Sequence, residues 1–458
     1  MEQIIEYKKH LIVAQNDCPT FILNTNTNEM FSSLKSIPQI QQEIDKLTCD
    51  EATKSISKQI EYKRGINNIV IGVADRCNLK CSYCYANEGT YNNPKKSIMT
   101  QQDFQRINQI LWDLNANGID SIHFFGGEPL LAYNDIFNFC NAISEDCKRK
   151  DMPLPKFSIT TNGTLLTDTV VKRLKEFDFS VCVSLDGPQN IHDASRIYKS
   201  GQGSFEQVMD GIRKLCHNNV TLAIEATIVC DLFTAWNKDQ LYDYFNFFVQ
   251  TGANLIGFFP DINDENAGHG QERKLHTIEN FYNAMVDFYF EHLLDENASI
   301  PLFANVYSVL LSLLSTTTGG ICKAGIASIY ITPNGDIFPC QAYYASKNRY
   351  MGNISNMDNF WLTHHITTLD YPNRFSKVCD NCMFYRYCGA KCPGSNLLMT
   401  DDERGITTIR CESSKILIKR ILLHMARIAT SDEKRNIFIS RFSAATEMYQ
   451  RTGDPYVH

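Results

Sequence analysis

The chain has 458 residues, 43% of them hydrophobic, which is enough for two or three domains with sizeable cores. Its formal net charge of −7 and the lack of a basic run argue against a broad nucleic-acid-binding surface. There is neither an apolar run of about 18 residues nor a basic-then-apolar signal pattern at the start, so we expect a cytoplasmic protein without a transmembrane helix.

Cysteine is unusually frequent, with 17 residues. Disulfides are rare in the cytoplasm, and many of the cysteines have ligand-like spacings, so metal or cluster ligation is the better explanation. The remaining ones are scattered, and we expect them to be small buried apolar residues. They are Cys18, Cys49, Cys140, Cys147, Cys182, Cys216 and Cys230.

Residues 1–66 predict a small α+β unit. Apolar runs at 10–14 and 20–23 indicate strands. A helix is predicted next because Ile37, Ile40, Ile44 and Leu47 share one helical face. A second helix is expected over residues 51–62.

Residues 67–300 alternate between strand and helix patterns. Strands are predicted at 68–73, 121–125, 157–161, 180–185, 222–229 and 254–259. Amphipathic stretches such as 103–114 and 167–177 lie between them. Six βα units predict a parallel sheet with helical crossovers, that is, an α/β fold with a partial (β/α)6 barrel similar to a TIM barrel. Its chemistry is expected at the C-terminal ends of the strands.

The alternation ends near residue 300. Residues 301–415 contain a core helix around 306–314 and then a group of cysteines, which predicts a separate cluster-binding domain. Residues 416–458 predict a helical tail. Its apolar face consists of Ile416, Ile421, Leu422, Met425 and Ile428.

Three closely spaced cysteines directly follow the first barrel strand. Cys77, Cys81 and Cys84 form a C-x3-C-x2-C run with an aromatic residue before the third cysteine. Three thiolates can hold three irons of a [4Fe–4S] cluster and leave the fourth iron open. On spacing alone, a zinc or structural site is the alternative.

This motif resembles that of the radical S-adenosylmethionine (SAM) enzymes. The resemblance implies that the open iron binds SAM, and that one electron cleaves SAM to methionine and a 5′-deoxyadenosyl radical that abstracts hydrogen from a substrate. Gly126, Gly127 and Glu128, followed by Pro129, resemble the family's GGEP motif, which binds the SAM amino group. Glycines let backbone carbonyls approach an ammonium closely, and Glu128 adds negative charge. An ordinary glycine turn is the alternative.

Further SAM contacts are implied by the same resemblance. Ser184 and Asp186 correspond to residues near the ribose, Arg196 to a SAM-carboxylate ligand, and Tyr83 to a residue beside the adenine. Polar residues 160–163 end the third strand and are also suited to the ribose hydroxyls. The alternative for Ser184, Asp186 and residues 160–163 is an ordinary turn at a strand end. For Arg196 it is a surface arginine, and for Tyr83 it is ordinary packing.

The later cysteines resemble the seven-cysteine SPASM domain of radical SAM peptide and protein maturases. Taken alone, part of the pattern is also compatible with a zinc ribbon. The resemblance implies two auxiliary [4Fe–4S] clusters, hence three clusters in all. Auxiliary cluster I would be held by Cys322, Cys340 and Cys392, and auxiliary cluster II by Cys379, Cys382, Cys388 and Cys411. Cluster I has either an open iron, which could bind a substrate thiolate, or a fourth ligand from elsewhere.

The resemblance implies a maturase that forms a thioether or carbon–carbon cross-link in a ribosomally made precursor peptide. A flavodoxin or ferredoxin would supply electrons, and no nucleic acid or membrane partner is expected. One alternative is sulfatase-maturase-like oxidation of a protein Cys or Ser to formylglycine. It is disfavoured because Gln341 occupies the position where that branch has an aspartate base. Another is a non-catalytic iron–sulfur or zinc protein. The N-terminal unit either binds a leader peptide or caps the barrel, and no catalytic residue is assigned.

Overall fold

The computed structural model begins with a small antiparallel sheet. The residues it describes are 3–14, 19–47, 66–92, 97–114, 118–261, 271–298, 301–314, 322–356, 377–379, 382–389 and 392–452. The sheet has the order β1 (Gln3–Tyr7), β2 (His10–Ala14), β3 (Thr20–Asn24) and β4 (Met30–Ser33), and α1 (Ile37–Leu47) follows. The sequence predicted β2, β3 and α1 but missed β1 and β4. Those two are edge strands with largely exposed side chains, so they lack an apolar run. The second predicted helix lies outside the described residues.

The N-terminal sheet packs on both faces. Ile12 and Ile22 meet Ile40 and Ile44 of α1, while the alternate residues of β2 and β3 join the main core. Asn28, in the turn before β4, donates from Nδ2 to the Leu313 carbonyl (2.7 Å) and accepts from the Tyr387 hydroxyl (2.7 Å). The sheet is therefore anchored to the C-terminal half of the chain.

The predicted partial barrel is confirmed. Six parallel strands lie side by side in chain order, and each matches its predicted range within two residues at either end. They are β5 (Asn68–Ala74), β6 (Ser121–Gly126), β7 (Lys156–Thr161), β8 (Ser180–Ser184), β9 (Thr221–Ile228) and β10 (Leu255–Pro260).

Four further strands extend this sheet to ten, and the sequence did not predict them. β11 (Leu302–Phe303) adds to β10 in parallel, and β12 (Ser328–Ile331) adds to β5 in parallel. β13 (Asp336–Phe338) and β14 (Gly352–Asn353) continue antiparallel. The cysteine-rich segment thus begins as an extension of the barrel sheet, which brings Cys340 close to the end of β5.

Helices cover the outer face of the barrel, where alternate strand residues such as Ile71, Phe124 and Ile159 are buried. The described helices that follow α1 are α2 (Gln101–Leu114), α3 (Tyr133–Lys150), α4 (Asp168–Glu176), α5 (Gln189–His192), α6 (Phe205–His217), α7 (Cys230–Phe233), α8 (Lys238–Val249), α9 (Gln271–Leu293), α10 (Ala304–Leu314), α11 (Gln341–Ala345), α12 (Pro393–Thr400), α13 (Thr408–Ala429) and α14 (Asp432–Thr452). Of these, α11 and α12 pack around Tyr330, and α14 reaches Tyr307, rather than lying only on the outer face. Across the described ranges, none of these helices combines the length and apolarity needed to span a membrane.

The inner face of the barrel, opposite these helices, is partly polar. His123 of β6 pairs through Nδ1 with the Ser158 hydroxyl (2.8 Å) and through Nε2 with the Thr160 hydroxyl (3.2 Å). One end of this face is apolar, where Cys182 and Leu255 pack near Tyr307, which contacts the α14 ring of Tyr449 at 4.8 Å. The inner face therefore has a polar part around His123 and an apolar end around Tyr307.

The C-terminal helices confirm the predicted helical tail, with a difference at its start. α13 begins at Thr408, so it runs across the predicted boundary at 415/416 and includes Cys411. The predicted domain boundaries themselves stay predictions. Four of the scattered cysteines are buried as expected, namely Cys140, Cys147, Cys182 and Cys230. Cys216 is partly buried, and Cys18 and Cys49 lie outside the described residues.

Candidate active site

The three-cysteine loop leaves the C-terminal end of β5. The thiols of Cys77, Cys81 and Cys84 are partly buried, and each interacts electrostatically with its neighbour in this series. Burial raises the pKa of Cys77 to about 12 and also raises that of Cys81. Three unbridged thiols in one loop are a donor set that fits three irons of a cluster, which would have to displace their protons.

Several groups already point hydrogen-bond donors at these sulfurs. The Leu79 backbone N–H lies 3.4 Å and the Asn162 side-chain amide 3.6 Å from the Cys77 sulfur. Arg196 Nη1 lies 3.9 Å from the Cys81 sulfur. Donors around cysteine ligands stabilise the thiolate form, so this surrounding suits a bound cluster.

The glycines after β6 allow a close approach to the cysteine loop. Gly127 donates its N–H to the Ala74 carbonyl (2.7 Å), and a Cβ at Gly127 would lie 2.1 Å from the Arg76 carbonyl oxygen. Gly126 has φ +134°, a region that disfavours other residues. The sequence-predicted pair Gly126 and Gly127 therefore lies directly beside the loop, at a place where only glycine fits.

Glu128 is completely buried behind this turn. Its carboxyl accepts hydrogen bonds from the Leu130 N–H (3.0 Å), the Thr161 hydroxyl (2.7 Å) and the Asn162 N–H (2.8 Å). Burial raises its pKa to about 7, although these three donors favour the carboxylate. Glu128 thus joins the ends of β6 and β7.

Tyr83, Asp186 and Arg196 form one buried group beside Cys81. Asp186 accepts hydrogen bonds from the Tyr83 hydroxyl, from Arg196 Nε (3.0 Å) and from the Thr227 N–H (3.0 Å). The Arg196 guanidinium lies 5.3 Å from the centre of the Tyr83 ring. Arg196 is only 8% exposed, so the surface-arginine alternative is excluded.

The polar residues at the end of β7 point in different directions. Thr160 faces His123 on the inner face, whereas Thr161 faces Glu128 on the outer side. Asn162 contacts the cysteine loop through Asn78 (2.8 Å). Ser184, at the end of β8, is partly buried and pairs in register with Glu225 of β9.

Sequence reasoning missed two residues of this region. His192 is fully buried; its Nδ1 accepts from the Asp186 N–H (3.3 Å), and its Nε2 pairs with the Ser204 hydroxyl (3.0 Å). Nothing in the local sequence marks it. Glu225 is the second, and it did carry a signal, since it is the one charged residue in an otherwise apolar strand.

Four of the later cysteines line a single cavity, namely Cys379, Cys382, Cys388 and Cys411. Phe384, Ile406 and Lys415 also line it. This is the quartet predicted for auxiliary cluster II, and four thiols around one cavity fit a [4Fe–4S] cluster. Among the described His, Cys, Asp and Glu side chains, no three converge as ligands of a single metal ion.

The remaining three cysteines also come together. Cys340 interacts electrostatically with Cys392 and Cys322, and burial raises its pKa to about 12. A Cβ at Gly394 would lie 3.2 Å from the Cys340 sulfur, so α12 approaches this group closely. Residues 315–321, just before Cys322, lie outside the described residues.

Tyr85 connects the cysteine loop with Cys340. Its hydroxyl interacts electrostatically with Cys84, Cys340 and Glu225, and its ring lies 6.1 Å from that of Tyr91. Tyr91 in turn packs on Tyr344 at 4.8 Å. Two separate sets of thiols and one carboxyl therefore surround the same region at the mouth of the barrel.

Comparison with known families agrees with this geometry. A model of the Radical SAM superfamily matches residues 71–248, and a model of the SPASM iron-sulfur cluster-binding domain matches residues 322–383. The chain is therefore a radical SAM enzyme that carries a SPASM domain, which excludes the non-catalytic alternative. Cys388, Cys392 and Cys411 lie beyond the matched residues, and the part of every individual cysteine in the clusters stays a prediction.

Individual relatives span most of the chain. The radical SAM cyclopropyl synthase TigE of Paramaledivibacter caminithermalis is 26% identical and covers 91% of this chain and 84% of its own length. A cysteine-type anaerobic sulfatase-maturating enzyme of Clostridium perfringens is 27% identical, over 69% of this chain and 85% of its own. The structure of anSMEcpe with bound AdoMet and Cp18Cys peptide aligns with a TM-score of 0.64 at 20% identity, over 83% of this chain and 99% of that one. The structural likeness concerns the fold alone.

Proposed function

We propose that this enzyme is a maturase that forms a thioether or carbon–carbon cross-link in a ribosomally made precursor peptide. The observation that carries the proposal is the pair of thiol groups around Tyr85, one in the loop after β5 and the other at Cys340. A substrate between them would meet both the site of radical formation and an auxiliary cluster. The peptide bound to a structure of similar fold supports a peptide partner.

In this proposal the first site binds a SAM cluster through Cys77, Cys81 and Cys84. A cluster and SAM held there would supply a 5′-deoxyadenosyl radical, which would take hydrogen from the substrate. Arg196 uses Nε for Asp186 and directs Nη1 toward Cys81, so its remaining donors can bind the SAM carboxylate.

The other SAM contacts follow the same arrangement. We assign Ser184 to the ribose, Tyr83 to the adenine side, and the carbonyl groups around Gly126 and Gly127 to the amino group. Asp186 lies near the proposed ribose position, but it is 1% exposed and already accepts three hydrogen bonds, so its part is to hold Tyr83 and Arg196 in place. Glu128 is fully buried and already accepts three hydrogen bonds, so it contributes negative charge and the shape of the turn rather than a direct contact. The barrel wall shields the radical from water.

Two auxiliary [4Fe–4S] clusters complete the proposal, for a total of three. Cys379, Cys382, Cys388 and Cys411 would hold one of them fully, and Cys322, Cys340 and Cys392 the other. The latter has either an open iron for a substrate thiolate or a ligand from elsewhere. A flavodoxin or ferredoxin would supply the electrons in the cytoplasm.

The N-terminal sheet is proposed to bind the leader of the peptide. Its edge strand β4 carries Phe31, which is 45% exposed, and is followed by Leu34, which is 90% exposed. An extended leader can add to such an edge by backbone hydrogen bonds. The sheet packs on α10 and α13, so a leader bound to its edge would lie on the side of the proposed auxiliary domain.

Formylglycine formation is the second candidate, supported by the sulfatase-maturating relative. Gln341, beside Cys340, has a buried Oε1 that meets no hydrogen-bond partner among the residues that the structure describes. An amide cannot accept a proton at neutral pH, so this position does not supply the base for that reaction.

The test uses a short cysteine-rich peptide encoded next to this gene. The protein is reconstituted with iron and sulfide under anaerobic conditions, reduced, and incubated with SAM and the peptide. We expect 5′-deoxyadenosine together with a peptide that has lost two hydrogens per cross-link, located by tandem mass spectrometry. 5′-Deoxyadenosine with an unchanged peptide would contradict the cross-linking proposal, and formylglycine in a sulfatase-derived peptide would favour the second candidate.

A further inference from the structure

Glu225 lies on the inner face of the barrel, in the middle of β9. The strand alternates, so that Leu222, Ile224 and Ala226 are buried in the outer helical core. Glu225 points the other way and is only partly buried. Its register partner on β8 is Ser184. A charged side chain at this position costs folding free energy unless it has a partner, so its presence indicates that the inner face has a function.

The surroundings of Glu225 place it at the mouth of the barrel. Its carboxyl interacts electrostatically with the Tyr85 hydroxyl, with the Arg196 guanidinium and with the Asp186 carboxyl. Tyr85 also interacts with Cys84 and Cys340. Glu225 therefore borders the same space as both thiol groups.

Glu225 differs from the other carboxyls around this space because it has free acceptor capacity. Asp186 accepts from Tyr83, Arg196 and Thr227, and Glu128 accepts three hydrogen bonds of its own. Throughout the described part of the chain, no residue hydrogen-bonds to the carboxyl of Glu225. A hydrogen-bond donor from outside the chain would fill the remaining acceptor capacity of this carboxyl.

We propose that Glu225 is the catalytic base that accepts the proton which the peptide loses during cross-linking. This inference rests on the proposed function. Each cross-link removes one hydrogen atom, one proton and one electron from the substrate. The hydrogen atom goes to the 5′-deoxyadenosyl radical and gives 5′-deoxyadenosine. The proton would convert the Glu225 carboxylate to the acid, and an oxidised auxiliary [4Fe–4S] cluster held by the later cysteines would accept the electron.

The electrostatics of Glu225 suit this role. Burial raises its pKa, Arg196 opposes that rise and Asp186 adds to it. The charged or titratable groups that interact with Glu225 are Arg196, Asp186 and Tyr85. Tyr85 lies in the loop after β5, Asp186 at the end of β8, and Arg196 in the segment after α5. A raised pKa makes the Glu225 carboxylate a stronger base than an ordinary glutamate, which favours proton acceptance from a substrate.

The test compares Glu225→Gln with Glu225→Asp and with Glu206→Gln, an exposed control on α6 that undergoes the same chemical change. Cross-linked peptide and 5′-deoxyadenosine are measured together, with the peptide that the wild type modifies. We expect the ratio of product to 5′-deoxyadenosine to fall at least about tenfold in Glu225→Gln. Glu225→Asp should recover part of it with a shifted pH profile, and Glu206→Gln should match the wild type.

Two further readouts are independent of product formation. Infrared difference spectra of the reconstituted protein should contain a carboxylic-acid carbonyl band that titrates above the ordinary glutamate range and is missing from Glu225→Gln only. SAM affinity, measured by equilibrium dialysis, should be the same in all variants. An unchanged product ratio, an unchanged infrared spectrum in Glu225→Gln, or a selective loss of SAM affinity would overturn the inference. A wild type that leaves the peptide unmodified would instead contradict the proposed function.

Discussion

At the scale of single residues, the site depends on one carboxylate, Asp186. It fixes the Tyr83 hydroxyl and Arg196 Nε, and its backbone N–H bonds His192. Hydrogen bonds to a buried ionised group are stronger than neutral ones. Arg196 is consequently held with its outer nitrogens toward Cys81.

Arg196→Lys tests this arrangement. Lysine keeps the charge but loses the planar fork that lets one end bind Asp186 while the other points toward Cys81 and the proposed SAM site. We expect SAM affinity, measured by equilibrium dialysis with the unreduced protein, to fall by about tenfold to a hundredfold, the equivalent of one charged hydrogen bond. Arg213→Lys, an exposed position on α6, is the control. Equal affinity in the two variants would remove Arg196 from the SAM site.

His192 gives a pH-dependent prediction. Burial, reinforced by Arg196, lowers its pKa to about 3, whereas an unfolded histidine titrates near about 6.5. The unfolded chain therefore binds a proton first as the pH falls. The contribution of neutral His192 to the free energy of unfolding is complete above the unfolded-state pKa. It is lost as the pH falls from that value to about 3, by at most about 1.4 kcal/mol per pH unit.

The measurement is the thermal unfolding midpoint between pH 7.5 and 5.5. The wild type should lose stability over this range more steeply than His192→Gln, which has nothing to titrate there. His217→Gln, at an exposed position, should keep the wild-type slope. Parallel curves for the wild type and His192→Gln would show that His192 does not control this dependence.

Residue roles were predictable only where they belong to a motif. Tyr83, Asp186 and Arg196 were singled out from the sequence, and the structure brings them into one hydrogen-bonded group. His192 was not, because its importance comes from two contacts made after folding. Glu225 was visible as a lone charge in an apolar strand, but its neighbours Tyr85 and Arg196 come from distant parts of the chain.

At the scale of elements, α9 and α13 are joined by a partly buried ionic group. Asp287 accepts from Arg420 Nε (2.7 Å) and Nη2 (2.6 Å) and pairs with His424 Nε2 (2.7 Å). Burial alone would raise the pKa of Asp287, but the hydrogen bonds from His424 and Arg420 outweigh it and lower the pKa to about 2. Because α13 carries Cys411, this contact holds the auxiliary domain against the barrel.

Asp287→Asn should therefore loosen that junction. Removing one partner of a buried ion pair leaves the other uncompensated and costs about 3 kcal/mol. Asp210→Asn, in the exposed pair with Lys214, should cost less than about 1 kcal/mol. Hydrogen exchange of the α13 amides reports unfolding of the auxiliary domain, and it distinguishes the Asp287→Asn variant from the Asp210→Asn variant. Equal protection of α13 in both variants would contradict the structural role of Asp287.

The elements themselves were predicted to different degrees. The six barrel strands were found because each is an apolar run between turn signals. β1 and β4 are exposed edges, and β11 to β14 are only two to four residues long, so neither group has a sequence pattern of its own. The pairing of β12 with β5 is also a long-range contact that no local pattern encodes.

At the scale of the whole molecule, the two sets of thiols lie around one end of the ten-stranded sheet. The barrel supplies the loop after β5, and the extension by β12 to β14 brings Cys340 to the other side of Tyr85. The sequence predicted both cysteine sets, but their proximity follows only from the shared sheet. Glu225 faces the same space.

The measurement that tests the central claim most directly is 5′-deoxyadenosine formation from SAM by the reconstituted, reduced protein, compared with Cys81→Ala. Cys230→Ala, a buried cysteine outside both groups, is the control. We predict that the wild type and Cys230→Ala produce 5′-deoxyadenosine, and that Cys81→Ala produces none while it keeps the irons of the auxiliary clusters. SAM cleavage that persists in Cys81→Ala, or is absent from the wild type, would contradict the account.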